Sequence, residues 1–173
     1  MRKADAAWRA YASSHAMQYQ PPRGWLHPEW PRAEGSLEGV AVAIEVAIHV
    51  THLDYSTACV AGMNGPAKGD LEVSREGFSS KVARLWGAQD LVVGDDPFDR
   101  AFVVKATPTA LAAELLAADV RAEMLALRAD RLTYGNGEHG QRGLVVVEFM
   151  GVVEDAGVLD RGLRLVAGLA RRA

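Results

Sequence analysis

The chain has 173 residues, 49% of them apolar, with a single cysteine and 22 acidic residues against 19 Lys plus Arg. A chain of this length buries roughly 70% of the surface that its unfolded form exposes, so one domain spanning 1–173 can build a full core without metal or disulfide, and Cys59 alone forms no internal bridge. A formal charge of −3 with scattered basic residues excludes a general nucleic-acid binder, whose affinity comes from clustered Lys and Arg neutralising phosphates.

In chain order, Ala4, Ala7, Trp8, Tyr11, Ala12 and Met17 recur at helical spacing and predict a short amphipathic helix. It ends before Gln20-Pro21-Pro22. Four prolines and two tryptophans, Trp25 and Trp30, then predict an ordered, irregular crossing loop over 18–36. From Val40 to Val50, aliphatic residues alternate with Ala41, Ala43, Glu45, Ala47 and His49, the period-two pattern of a strand with one buried face. Ser56 to Ala61 should return as its antiparallel partner, and Leu71-Glu72-Val73 reads as a third strand. Phe78 to Trp86 suggests a brief helix.

Leu91-Val92-Val93 and Phe102-Val103-Val104 read as two short strands flanking the acidic turn Gly94-Asp95-Asp96-Pro97-Phe98-Asp99-Arg100. Thr107-Pro108 has the chemistry of a cap followed by a first helical residue, so one helix is expected to about Ala129, with Leu111, Leu115, Val120, Met124 and Leu127 inward. Arg131 to Tyr134 and Leu144 to Met150 form a hairpin around Gly135-Asn136-Gly137, whose Asn-Gly supplies the positive φ of a tight turn. A final helix, about Ala156 to Arg172, carries Leu159, Leu163, Val166 and Leu169 on one stripe. Hairpin-like connections dominate. The expected fold is therefore α+β, a mostly antiparallel sheet of about five to seven strands covered by N-terminal, central and C-terminal helices.

Several segments have the composition of functional sites. Asp95, Asp96 and Asp99 place three carboxylates within five residues, enough oxygen for Mg²⁺ or Ca²⁺, although the spacing of a calcium-binding helix–loop–helix is missing. A turn in which the aspartates accept backbone N–H groups and Phe98 anchors the loop explains the same residues. His49, His52 and Asp54 suggest zinc, but His49 and His52 are an odd number apart and point to opposite faces of a regular strand, and nothing positions His139 as a third nitrogen. The glycines from Gly62 to Gly69 lack the Gly-Lys-Ser/Thr ending of a phosphate loop. Cys59 sits mid-strand among small apolar residues, and Ser79 and Ser80 are outside any nucleophile elbow. No catalytic residue and no cofactor is assigned.

The run from Gln89 to Val104 resembles a group of uncharacterised bacterial proteins in which a G-D-x-x-F-D-x-x-F-x-V stretch, here Gly94 to Val104, precedes a helix and a closing hairpin. Trp8 and Ala12 in the first helix, and Gly35 with Gly39 before the long strand, belong to the same likeness. The resemblance implies a shared fold and carries no activity. The excess of arginine over lysine, with abundant Ala, Gly and Val, fits the codon bias of a GC-rich bacterial genome.

Met1-Arg2-Lys3 leads directly into Ala, Asp and Trp with no apolar h-region, and the Val40–Val50 stretch is too short to span a bilayer, so a cytoplasmic protein with no membrane association is expected. The sequence favours a non-enzymatic domain that binds a protein partner or its own copy, with Trp25 and Trp30 as interface candidates. The long strand, through its edge or its alanine face, is a second candidate surface. The alternative is a small-molecule or metal-binding protein, including a hydrolase, built on the acidic turn.

Overall fold

A computed structural model of the chain describes residues 2–22, 30–49, 54–75, 89–136 and 143–172. The elements in order are α1 (Arg2–Ser14), β1 (Gln18–Gln20), β2 (Arg32–Leu37), β3 (Val40–His49), β4 (Asp54–Gly62), β5 (Asp70–Arg75), α2 (Asp96–Ala101), β6 (Phe102–Thr107), α3 (Ala110–Leu115), α4 (Ala118–Leu127), β7 (Arg131–Asn136), β8 (Gly143–Met150) and α5 (Ala156–Arg171). The strands form one sheet of eight in the order β1-β2-β3-β4-β8-β7-β5-β6, with every ladder antiparallel.

The α+β class and antiparallel sheet agree with the sequence pattern, and the strand count exceeds the expected five to seven. Both ends of the expected 18–36 loop are strands: β1 pairs with β2, which has little apolar alternation of its own and is held by β3. Glu38 and Gly39 join β2 to β3 in a two-residue turn with φ of 51° and 81°, the double positive φ that matches the twist of a hairpin. Leu91 forms an isolated bridge to Val104 in place of the expected strand. The stretch Phe78 to Trp86 lies outside the described residues.

The expected helix from Thr107 is two helices. Thr107 ends β6, Thr109 caps α3 without a side-chain hydrogen bond, and the chain breaks at Leu116 and Ala117 before α4. Arg121 Nη1 donates to the Leu116 carbonyl at 2.6 Å, satisfying an acceptor that a continuous helix would have used. The contact spans five residues across the break, and Leu116-Ala117-Ala118 contain no Gly or Pro to announce it.

One row of side chains crosses the sheet by register: Ala33, Ile44, Cys59, Val147, Leu132, Val73 and Val104, none with any exposed surface. Residues two positions away on each strand share that face. Helix α5 packs on it over β3, β4 and β8, α3 packs on β5 and β6, and α1 packs on β1 and β2 and touches α5. Trp8 is fully buried and its indole N–H donates to the Val153 carbonyl at 2.7 Å, so the ring's polar atom is satisfied. The inward stripe of α5, Leu159, Leu163, Val166 and Leu169, is buried as its spacing requires. Among the described residues no helix is long and apolar enough to cross a membrane.

A Cβ at Gly162 would meet Cys59 Sγ at 3.0 Å and Phe149 Cε2 at 3.3 Å, whereas one at Gly168 would meet nothing within 4 Å. At Gly162 the backbone of α5 therefore comes close to the sheet, with no room for a side chain. Gly162→Val should cost about 1–3 kcal/mol through overpacking, while Gly168→Ala should gain up to about 1 kcal/mol from helix propensity. Urea denaturation of the two variants checks the contrast, and equal effects would contradict the packing assigned to α5.

Candidate functional site

The acidic turn is built by its own carboxylates. Leu91 N–H donates to the Val104 carbonyl at 2.9 Å, and the chain then turns so that Asp99 accepts from the backbone N–H groups of Val93, Gly94 and Asp95, each at 3.0 Å. Asp95 caps α2 by accepting from Phe98 N–H at 3.3 Å and receives Arg121 Nε at 2.9 Å. That guanidinium holds the Asp95 carboxyl below the usual carboxylate range. Phe98 is fully buried against Phe102, with ring centroids 4.8 Å apart. The residues that the Gly94–Val104 stretch specifies thus cap, turn or pack, while Asp96, Pro97 and Arg100 between them are exposed.

Oxygen lone pairs that already accept N–H groups are poor starting points for a hard cation, which needs six or more oxygens. Only Asp96 of the three aspartates is exposed. Among the described residues no three His, Cys, Asp or Glu side chains converge.

The aromatic candidates fare differently. Trp25 lies outside the described residues. Trp30 is half-buried and stacks on Tyr55, with centroids 5.9 Å apart and planes 28° off parallel. Tyr55 pairs in register with Ile48, and both remain exposed, at 44% and 54%. The buried face expected for the whole Val40–Val50 strand stops at half-buried Val46, because β3 and β4 run beyond the helix layer. Met150, on the opposite face at the same end of the sheet, is also exposed. The long strand pairs with β4 along Val42–His49 and with β2 along Val40–Ile44 only, and on its alanine face Ala43 is buried, Ala47 half-buried and Ala41 exposed.

His49 and Asp54 are register partners at the end of the β3–β4 ladder, and His52, Ser79, Ser80 and His139 lie outside the described residues. Cys59 is fully buried, which pushes its thiol up to about 12 and leaves no thiolate for nucleophilic work. The glycine-rich turn after β4 is tied to β8, with Met63 N–H donating to the Gly143 carbonyl and Gly143 N–H to the Gly65 carbonyl. It cradles backbone, and it opens into β5 rather than into a helix.

Two polar clusters escape sequence reasoning. On the sheet face opposite the apolar row, Arg131 donates through Nε to Glu72 at 3.2 Å and through Nη1 to Glu148 at 3.3 Å, and Ser56 donates to Glu148 at 2.9 Å. Glu72 and Glu148 are buried, and burial pushes the Glu72 carboxyl up against the opposing pull of Arg131 and Lys105. The available signal was a lone charge inside an apolar strand, as in Val147-Glu148-Phe149. Its partner was invisible, because Arg131 meets Glu72 only through sheet register.

At the end of α1, Ser14, His15 and Asp160 lie together. His15 Nδ1 is 2.9 Å from both Ser14 Oγ and the Tyr11 carbonyl, Ser14 Oγ also donates to that carbonyl at 2.9 Å, and His15 Nε2 is 3.7 Å from Asp160. Ser14 and His15 are both exposed. The group caps the helix end.

No family model matches the chain, and no curated protein matches it significantly. Among solved structures, the fold is similar to the crystal structure of the mycobacterial trehalose monomycolate transport factor A, TtfA, with a TM-score of 0.62 and 15% identity, covering 99% of this chain and 95% of that one. Likeness at that identity is likeness of fold.

Two outcomes test the roles of these carboxylates. Asp99→Ala should cost about 2–3 kcal/mol by orphaning three N–H groups, Asp96→Ala should stay within about 0.5 kcal/mol, and Mg²⁺ or Ca²⁺ should move neither urea midpoint; a metal-dependent shift abolished by either variant would restore the ligand role. Glu72 holds its proton more tightly folded than unfolded, so its contribution is fully present below the ordinary glutamate range and is lost as pH rises through the raised folded value. Glu72→Gln should flatten the stability–pH curve across that window, and an unchanged slope would remove Glu72 as its source.

Proposed function

We propose that this chain is a non-enzymatic binding domain that engages a protein partner through the apolar end of its central strands. The observation that carries the reading is the Trp30–Tyr55–Ile48 cluster, where an indole, a phenol and an aliphatic side chain sit together on strands that outrun their helix cover. Exposed apolar groups gathered in one place on a folded surface mark interaction sites, and Trp and Tyr are the residues most often central to them. Ile48 and Tyr55 are neighbours within one ladder, which presents them on a rigid platform.

The fold neighbour is named as a transport factor, a description that fits an accessory protein, although its cargo belongs to that protein alone. Kinship with the bacterial group sharing the Gly94–Val104 stretch is, in this reading, kinship of fold. A small-molecule or metal-binding protein, or a hydrolase, built on Asp95, Asp96 and Asp99 would have to displace the N–H groups and the arginine that Asp95 and Asp99 already hold.

Trp30→Ala and Tyr55→Ser should each lose a partner that the wild-type protein retains in affinity capture, while shifting Tm by less than about 4 °C. Undiminished capture by both variants, or loss of capture only in step with unfolding, would count against the surface.

A further inference from the structure

Between α4 and α5 lies a groove of about 320 Å³ whose floor is Val120, Leu165, Gly168 and Leu169. Its rim is charged in an ordered way. Arg161 of α5 grips Glu123 of α4 through two bonds, Nε at 2.7 Å and Nη2 at 2.9 Å, and Arg172 beyond the end of α5 reaches Asp119 of α4 at 2.9 Å. The earlier residue on one helix meets the later residue on the other, so the two helices run in opposite senses. In both pairs the cation comes from the α5 side and the anion from α4. All four side chains keep substantial exposure.

We propose that this face is an isologous interface between two copies of the chain, related by a two-fold axis lying along the groove. Such an axis leaves position along the groove unchanged and exchanges its two sides, so that α4 of one copy lies over α5 of the other. Glu123 then faces Arg161 of the second copy, and Asp119 faces Arg172 of the second copy. Each ion pair becomes half of a four-charge ring with alternating signs. Any surface with all its cations on one side and all its anions on the other is complementary to itself about this axis. A generic anionic partner would be repelled by Asp119 and Glu123, and a generic cationic partner by the arginines.

The remaining groove residues fit this occupant. Arg164, also at the groove, pairs along its own helix with Asp160 at 2.8 Å and so takes no part in the cross-groove pattern. Gly168 leaves the helix backbone open, with nothing within 4 Å of the place a Cβ would occupy. A glycine there weakens α5 by roughly 1 kcal/mol relative to alanine. Its packing against this chain supplies no reason for it, whereas a second helix approaching the groove does. The groove shares no lining residue with the Trp30–Tyr55–Ile48 cluster, so failure of either assignment leaves the other standing.

The decisive experiment is complementation by charge reversal, read by sedimentation velocity at low and high salt. The wild-type protein should dimerise, and more weakly at high salt, because exposed charges are screened. Arg161→Glu with Arg172→Glu makes the rim wholly acidic, and Asp119→Arg with Glu123→Arg makes it wholly basic. Each double variant alone should lose affinity about tenfold or more, and the equimolar mixture should recover a heterodimer. Gly168→Phe, which fills the groove without touching a charge, should also be monomeric while keeping a cooperative melt. A wild-type protein that stays monomeric at every attainable concentration overturns the proposal. So does a dimer indifferent to Gly168→Phe, or a mixture of folded charge variants that fails to associate.

Discussion

The structure depends on one continuous line of apolar contact. Ala33, Ile44, Cys59, Val147, Leu132, Val73 and Val104 stand side by side across seven of the eight strands, each from a different strand and each without exposed surface. A register slip of one residue would replace a strand's member with a side chain from the opposite face, and in β2, β5 and β7, where Ala33, Val73 and Leu132 have polar neighbours on both sides, it would bury a polar group in the row. Helix α5 lies across the middle of this row, and Gly162 brings its backbone close enough for Cys59 and Phe149 to pack directly beneath. The other helices then take positions relative to it: α1 seals one flank through Trp8, and α4 lies beside it.

The opposite face of the same sheet is organised by charge. Glu148 and Arg131 are direct cross-strand partners, Glu72 lies diagonally beyond them, and Lys105 lies opposite Glu72. Burial pushes the Glu72 carboxyl up, Arg131 and Lys105 pull it down, and the neighbouring Glu148 adds a smaller upward push. Such a cluster does little for net stability compared with an apolar packing of the same volume. Its geometry does discriminate between registers, because moving β7 by one residue would take Arg131 away from both acids.

These two faces bear directly on function. Cys59 is sealed in the apolar row, and Asp95 and Asp99 of the acidic turn are held by its own backbone and by Arg121. The two surfaces proposed above lie elsewhere: at the end of the central strands, where Ile48 and Tyr55 are exposed, and at the groove between α4 and α5.

The sequence by itself determined what local periodicity and turn chemistry can encode. The period-two run from Val40, its return strand, the amphipathic stripes of α1 and α5, the hairpin strands near the C-terminus and the Asp and Phe residues of a self-satisfied turn were all legible, because each rests on residues only a few positions apart. The Trp30 surface was legible in kind, since an indole in a proline-rich stretch suggests a cover or a contact. Only tertiary structure decided the rest. Strands β1 and β2 exist because β3 provides hydrogen-bonding partners for a stretch whose own composition favours a loop. The break between α3 and α4 falls at Leu116-Ala117, where no Gly or Pro marks it. The Glu72–Arg131–Glu148 cluster and the α4–α5 rim join residues 59, 17, 38 and 53 positions apart. Register and helix docking, which no local pattern specifies, place those charges within reach of one another.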